Sequence, residues 1–337
     1  MAAPTNTVTR YDVYRSVRED LADTIYRISP EDTPFMSNVG RGKADNTYFE
    51  WQTDALAAAD ADNKHIEGDD AVNDARAPTK RLGNYTQIAR KVVGVSGTSE
   101  AVDKAGIRGM LAYEMAKASA ELKRDMEKRL VSDKAAAGGN NSTARETAGF
   151  GAFLITNVDK ASDGVDQTFS VNATKEGYPN AAYTPGTARA YTEAQLKDTM
   201  QKVWAEGGSL DICMMGPRIK MVASGFKGIA EFRKNLPGES QATIIGAADV
   251  YVGDFGSVTF VPNRFMDNDK AYLIDPEYAS VVYLRDFRTE NLAKTGDSTR
   301  KMLLVEFGLK VHTELAHGVI RDLDPDLSAS GGGGGTP

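Results

Sequence analysis

An α+β fold is what this sequence predicts, and three observations lead to it. A run from Ser99 to Ala137 contains no Pro and repeats apolar residues at helical spacing. Short runs rich in β-branched and aromatic residues crowd residues 250–313. Between two further strand-like runs, Thr47–Gln52 and Tyr85–Val95, lies a long polar stretch with few apolar side chains.

From the N-terminus, Val17, Leu21, Ile25 and Ile28 predict a helix over residues 10–28. Ser29-Pro30 and Thr33-Pro34 end it, because the residue before Pro avoids helical geometry. Phe35 to Asp45 is too polar and Gly-interrupted to hold a core alone, and it reads as an arm lying on a neighbour. Thr47, Phe49 and Trp51 alternate with Tyr48, Glu50 and Gln52, the period of a strand. Thr53–Asn84 then carries seven acidic residues: Asp54, Asp60, Asp62, Glu67, Asp69, Asp70 and Asp74. A polar excursion of that length between two strands predicts a protruding hairpin.

The helix predicted from Ser99 to Ala137 has Val102, Ile107, Leu111, Met115, Ala118, Leu122, Met126 and Leu130 along its apolar stripe. Ser99 would cap it, Glu100 and Asp103 suit its positive end, and Gly138-Gly139 stops it. At 1.5 Å per residue, about 35 residues would extend roughly 50 Å. Its Lys117, Lys123, Arg124, Lys128, Arg129 and Lys134 alternate with Glu114, Glu121, Asp125 and Glu127. Alternating charge predicts a solvated, salt-bridged face rather than a nucleic-acid stripe.

Gly, Asn and Thr mark residues 138–190 as a loop-rich insertion with one apolar patch, Phe150–Val158. Thr192 and Gln195 make a capping box opening a helix with Leu196, Met200, Val203 and Trp204. Leu210–Met215 reads as a buried strand, and Pro217 opens a short helix with Ile219 and Val222. Strands follow at Val250–Val252, Ser257–Val261, Ala271–Ile274, Ser280–Leu284 and Lys301–Thr313, with one more at His317–Leu323. Five consecutive glycines predict a flexible tail over 328–337.

Composition narrows the function. With 337 residues and 41% hydrophobic content, the chain can bury a large domain or two or three joined ones. Lys and Arg number 40 against 47 Asp and Glu, giving −7, without the basic excess of a sequence-specific DNA binder. The lone Cys213 excludes an internal disulfide framework and a multi-cysteine metal site, and it reads as a small core residue. The first residues show no signal peptide and no window is apolar enough to span a membrane, so a cytoplasmic protein is expected.

Motifs for chemistry fail individually. His65 stands apart, and His312 and His317 lack the helical spacing of a zinc-protease pair. Asp254-Phe255-Gly256 has none of the companion kinase motifs and reads as a hairpin turn. The acidic run from Asp60 lacks the glycine that a calcium loop needs at its sixth position. We find no nucleophile elbow and no phosphate-cradling glycine loop. No catalytic, cofactor-binding or metal-binding residue is therefore nominated.

The order of arm, protruding hairpin, long helix, α/β region and final long strand resembles the major capsid proteins of tailed bacteriophages, which share the Hong Kong 97-like capsid fold. The string Leu21-Ala22-Asp23-Thr24-Ile25-Tyr26-Arg27-Ile28-Ser29-Pro30-Glu31-Asp32-Thr33-Pro34-Phe35-Met36 looks like the arm of one such family. Glu50-Trp51-Gln52-Thr53-Asp54, Asn84-Tyr85-Thr86-Gln87-Ile88, Val95-Ser96-Gly97-Thr98 and Glu121-Leu122-Lys123-Arg124-Asp125-Met126-Glu127 add to the likeness.

The resemblance implies an N-terminal arm at 1–46, an extended loop at 47–95 and a peripheral domain with its spine helix at 96–190. An axial domain at 191–285, a return to the peripheral domain at 286–327 and the tail at 328–337 would follow. It implies a structural protein, not an enzyme, that self-assembles through hexamers and pentamers into an icosahedral head shell around double-stranded DNA. Its partners would be copies of itself, with a separate scaffolding protein, a portal and a decoration protein as further candidates. Contact with DNA would be non-specific, no membrane would be involved, and the chain would reside in the virion after assembly in the host cytoplasm. An encapsulin-like compartment shell is the alternative with the same fold. Phe35, Phe49, Trp51 and Tyr85 are the expected intersubunit contacts. Lys64 and Lys80 lie in the loop, but no partner identifies an intersubunit crosslink.

Overall fold

Leu303, Leu304, Val305, Phe307, Leu309 and Val311 crowd one strand, Ser298–Val311 (β13), so apolar side chains point from both of its faces and demand cover. It becomes the middle of a four-stranded sheet in the computed structural model. That model describes residues 32–68, 70, 73, 76–102, 107, 109–172, 174–226 and 250–327. Ala279–Asn291 (β12) and Gln87–Ser96 (β4) flank β13 antiparallel, and Gly40–Lys43 (β1) joins the outer edge of β12 in parallel. The helix expected over 10–28, Asp69, Asp74 and the glycine tail lie outside the described residues.

The expected 99–137 helix is shorter than its apolar period suggests. Gly97–Ala101 (α2) is capped by Ser96, whose hydroxyl accepts from the Ser99 N–H, so the cap is Ser96 and not Ser99. After Gly109, whose backbone is extended, Met110–Leu130 (α3) runs for 21 residues. The helix then ends at Val131 (φ −86°, ψ 7°), and the Ser132 hydroxyl donates to the Arg129 carbonyl. Val131 and Ala136 are buried in loop conformation, and Ala137 exchanges backbone bonds with Glu146. Tertiary burial of the same apolar residues outweighs the helical period. Ala118, Leu122, Met126 and Leu130 of α3 are buried, in a core shared with Leu303 and Val305 of β13.

A six-stranded sheet forms the other body. Its order is Val158–Asp159 (β5), Gly318–Ile320 (β14), Ala271–Ile274 (β11), Ile212–Met215 (β8), Gly256–Pro262 (β10) and Val250–Gly253 (β9). All residues of β8 are buried, which fits its near-continuous apolar sequence. Ile212 and Met214 join the core beneath α3, while Cys213 and Met215 join a second core with Glu193–Ala205 (α4) and Pro217–Ala223 (α5). The Thr192–Gln195 capping box is present in both directions. Thr192→Ala is expected to cost about 1 kcal/mol of stability, read as a lower urea midpoint. The tripeptide Asp254-Phe255-Gly256 is indeed the β9–β10 turn, with Gly256 at φ 124°.

A hairpin is present, but not between the two runs expected: Gln87–Ser96, most of the predicted second arm, lies instead against β13 in the four-stranded sheet. Tyr48–Thr53 (β2) pairs antiparallel with Lys80–Tyr85 (β3), from Tyr48 opposite Tyr85 to Thr53 opposite Lys80. The described residues of 54–79 between them form no helix or strand. Phe169–Asn172 (β6) and Lys175–Pro179 (β7) make a second, smaller hairpin within the loop-rich insertion. Because β12 belongs to the four-stranded sheet and β14 to the six-stranded one, the chain crosses between sheets at 275–278 and again at 312–317.

Candidate assembly surfaces

The arm is rooted by a buried carboxylate. Pro34–Asn38 (α1) starts with Pro in its first turn, and its free N–H groups point toward α3. Glu127 accepts from the Phe35 N–H at 2.7 Å and the Met36 N–H at 3.0 Å, while Asn263 Nδ2 donates to it at 2.6 Å. The same side chain thus joins arm, long helix and the loop after β10. Burial pushes its pKa up, against these three hydrogen bonds that hold it down. Alternating charge placed Glu127 on the solvated face of α3, but it is completely buried. Part of that face is salt-bridged as expected, Lys91 meeting Asp125 at 2.7 Å and Arg129 meeting Glu146 at 2.8 Å, while Arg124 instead lies over the Phe265 ring at 5.6 Å.

The hairpin root is an aromatic stack on its own subunit. Trp51 stacks on Phe49 with centroids 5.9 Å apart and meets Phe153 at 6.0 Å, under the Lys310 ammonium. Tyr85 packs on Tyr48 at 4.8 Å and Tyr178 at 5.1 Å. Gly308 lets β2 lie this close, because a Cβ there would come within 2.7 Å of the Phe49 ring. Asn84 is buried and fully engaged. Its Nδ2 donates to the Leu309 carbonyl and Thr147 Oγ1, and its Oδ1 accepts from the Tyr85 and Ala148 N–H groups.

The aromatic residues expected to face neighbours are therefore placed differently. Phe35, Trp51 and Tyr85 are buried within the subunit, Phe35 against the edge of Phe150 at 5.3 Å. Only Phe49 keeps part of its surface. An aromatic that anchors a projection to its own body has the same composition signal as one that grips a neighbour. Tyr48, Phe153, Asn84 and Glu127 escaped sequence reasoning; of these, Tyr48 was legible as the aromatic directly across the hairpin from Tyr85.

What stays exposed lies further out. Leu56 is 100% and Ile66 80% exposed on the acidic loop. On the body, α3 covers one face of the four-stranded sheet, and cross-strand partners on the opposite face form a second surface. It presents Ile88 (46% exposed), Val92 (50%) and the part-buried Met302, with Leu304 buried among them, and is bordered by Arg90, Arg300 and Arg288, the last paired with Glu290 at 3.0 Å.

The residues weighed for chemistry stay scattered. His312 Nε2 lies 3.2 Å from Ser280 Oγ, and His317 is buried near the Phe150 ring. Cys213 is buried, its thiol pushed up to about 12 by loss of hydration. Among the described residues, no three His, Cys, Asp or Glu side chains gather as metal ligands would. No described helix is long and apolar enough to cross a membrane.

Comparisons with known proteins bear on this arrangement. The profile of the family described as SU10 major capsid protein matches residues 3–324. A major capsid protein of Escherichia phage Phieco32 is 30% identical over 346 residues, covering 95% of this chain and 97% of that protein. Among solved structures, the cyanophage A-1(L) capsid asymmetric unit superposes with a TM-score of 0.67 at 14% identity, over 94% of this chain and 99% of the other. Gordonia phage Cozz gives 0.59 at 13% identity, over 96% and 97%. The holo-SrpI encapsulin complex of Synechococcus elongatus PCC 7942 gives 0.54 at 10% identity, over 95% and 98%.

Proposed function

We propose a docking scheme for this chain, which belongs to the SU10 major capsid protein family and is a phage major capsid protein with the Hong Kong 97-like fold. Copies of the chain build the virion shell. In our reading, the four-stranded sheet with α3 is the peripheral domain and the six-stranded sheet with α4 and α5 is the axial domain. The acidic loop of one copy lies across the apolar and basic sheet face of the next. Leu56 and Ile66 cover Ile88 and Val92, while Asp54, Asp60, Asp62 and Glu67 face Arg90, Arg288 and Arg300. What supports this reading is that a net-acidic loop with exposed Leu56 and Ile66 and a sheet face with exposed Ile88 and Val92 beside Arg90 and Arg300 occur in the same chain, so that two copies can match them.

Magnitudes explain why such a contact suits a shell. Exposed ion pairs contribute about 0.2–1 kcal/mol each, and apolar burial about 25 cal/mol per Å². One contact of this size is weak, but repetition around closed rings multiplies it. The buried roots of arm and hairpin, with Phe35, Trp51 and Tyr85 in them, hold the projections in place, and the part-exposed Phe49 remains for a neighbour. Hexamers and pentamers around double-stranded DNA are the expected assembly, with a scaffolding protein, portal and decoration protein as partners from outside the chain. The encapsulin alternative shares the fold alone, whereas the relation in sequence is to a phage capsid protein.

The test is a charge swap. Arg90→Glu with Arg288→Glu is expected to reduce shells counted by electron microscopy at least about tenfold, equivalent to roughly 1.4 kcal/mol. Far-ultraviolet circular dichroism should stay unchanged. Adding Asp60→Lys and Asp62→Lys should restore shells. Normal assembly of the double Arg variant would reject the docking scheme.

A further inference from the structure

Two of the passages between the four-stranded and six-stranded sheets, those flanking β12 and β13, lie side by side. One is the turn from β11 to β12 through Asp275 and the short 3-10 helix Pro276–Tyr278. The other runs from β13 to β14 through His312, Thr313 and the 3-10 helix Glu314–Ala316 to His317. The His312 N–H donates to the Tyr278 carbonyl at 2.8 Å, tying the two crossings by their backbones. The His317 imidazole fills the space between them. Its Nδ1 accepts from the Asp275 N–H at 3.3 Å, and its Nε2 faces the Tyr278 carbonyl at 3.4 Å. The ring is fully buried and meets the Phe150 ring edge-on at 5.0 Å. Asn157 Nδ2 donates to the Leu315 and His317 carbonyls and braces the second crossing from outside.

We propose that His317 is a pin between the axial and peripheral sheets, seated only as the neutral Nε2–H tautomer, and that acid withdraws it and loosens both crossings together. An acceptor role for Nδ1 leaves the ring proton on Nε2, where the Tyr278 carbonyl receives it. A second proton on Nδ1 would face the Asp275 N–H donor to donor. Burial already lowers the His317 pKa to about 4, and a charged His312 would lower it further.

The other charged groups around the ring are already engaged or lie outside its hydrogen-bond shell. Asp275 Oδ1 accepts from the Glu277 N–H, so that carboxylate is held in its own turn, while Glu277 is exposed and makes no hydrogen bond to the ring. Glu314 in the second crossing accepts from the Ile155 and Thr156 N–H groups and the Thr156 hydroxyl. His312, at the end of β13, pairs with Ser280. Both ring bonds of His317 thus go to backbone groups of the first crossing. Since its folded pKa lies below the ordinary 6.5, the unfolded chain takes up this proton first. The stability His317 contributes is whole above about pH 6.5 and is lost as pH falls through about 4. Two-point crossings of this kind act as hinges when a side chain locking them changes state.

The experiment uses the intact, unassembled chain, so its outcome is independent of the loop-docking scheme. Hydrogen exchange is measured from pH 6 to pH 4 and expressed as protection relative to intrinsic rates. Peptides covering 271–284 and 311–320 should lose protection at least about tenfold together, while α4 and α3 keep theirs. His317→Gln should abolish this pH step, and His312→Gln should retain it. Unchanged protection in the native chain at pH 4, or the same step in His317→Gln, would overturn the pin. Should His317→Gln fail to fold, histidine nitrogen NMR of the native chain decides. An Nε2–H ring that stays neutral to about pH 4 supports the proposal, and an Nδ1–H ring or titration near the ordinary value rejects it.

Discussion

Asp133→Asn is expected to destabilise the subunit by about 3–5 kcal/mol, the cost of stranding buried charge. Asp133 follows α3 and sits between the Lys270 ammonium and the Arg321 guanidinium, both almost wholly buried. Burial alone would raise its pKa, but the positive charges of Lys270 and Arg321 outweigh that and hold it below the ordinary carboxylate value. The Tyr272 hydroxyl donates to the same carboxylate at 3.0 Å. Arg321 has further partners, the Gly151 carbonyl at 2.5 Å and Gln167 Oε1 at 3.0 Å, while Lys270 depends mainly on Asp133. Asn removes the charge without changing the shape, leaving Lys270 with only the Asp269 carboxylate at 3.5 Å and Arg321 with neutral acceptors.

Urea unfolding should show the loss, and Lys270→Met in the same chain should recover part of it. The exposed pair of Arg41 and Asp286 is the control, with Asp286→Asn expected to cost less than about 1 kcal/mol. The pH dependence has a definite sign. Because the folded pKa of Asp133 is depressed, its contribution is present above the unfolded value near 3.8 and disappears as pH falls through the lower folded value.

Glu127→Gln is the second large effect, expected at about 2–3 kcal/mol from hydrogen bonds to a charged acceptor. Gln offers one acceptor oxygen where Glu127 serves Phe35, Met36 and Asn263, and its own NH₂ would oppose one of these donors. Proteolysis should then cut first around residues 32–46, with α4 still protected. Here the pH sign is reversed. The folded pKa is raised, so this group's contribution is whole below the unfolded value of 4.5 and declines as pH rises through the folded one. Acid therefore weakens the subunit through Asp133 and His317, not through Glu127.

These residues also mark where sequence reading stops. The Thr192 capping box, the β9–β10 turn and the long final strand were legible because each is written in a few neighbouring residues. The hairpin's second arm, by contrast, is Lys80–Tyr85, and the apolar run expected in its place, Tyr85–Val95, mostly joins another sheet. The end of α3 was not, since Val131 and Ala136 keep a helical period while being buried as loop. Glu127 reads as one more acid in a charged helix, and only the arm folding back onto it reveals an anchor. Phe35, Trp51 and Tyr85 were legible as anchors, but not the body they are anchored to. Neither the parallel pairing of β1 with β12 nor the double crossing at His317 has any local signature.

That pairing also sets a clock for synthesis. Gly40 of the arm strand finds its place only beside Ser280, and Val95 beside Thr299, so neither can be seated while the ribosome is still making the middle of the chain. A truncated product lacking β12 and β13 has nowhere to put its arm strand or β4. The order of translation thereby matters to the fold: an unfinished subunit lacks the frame that holds its projections.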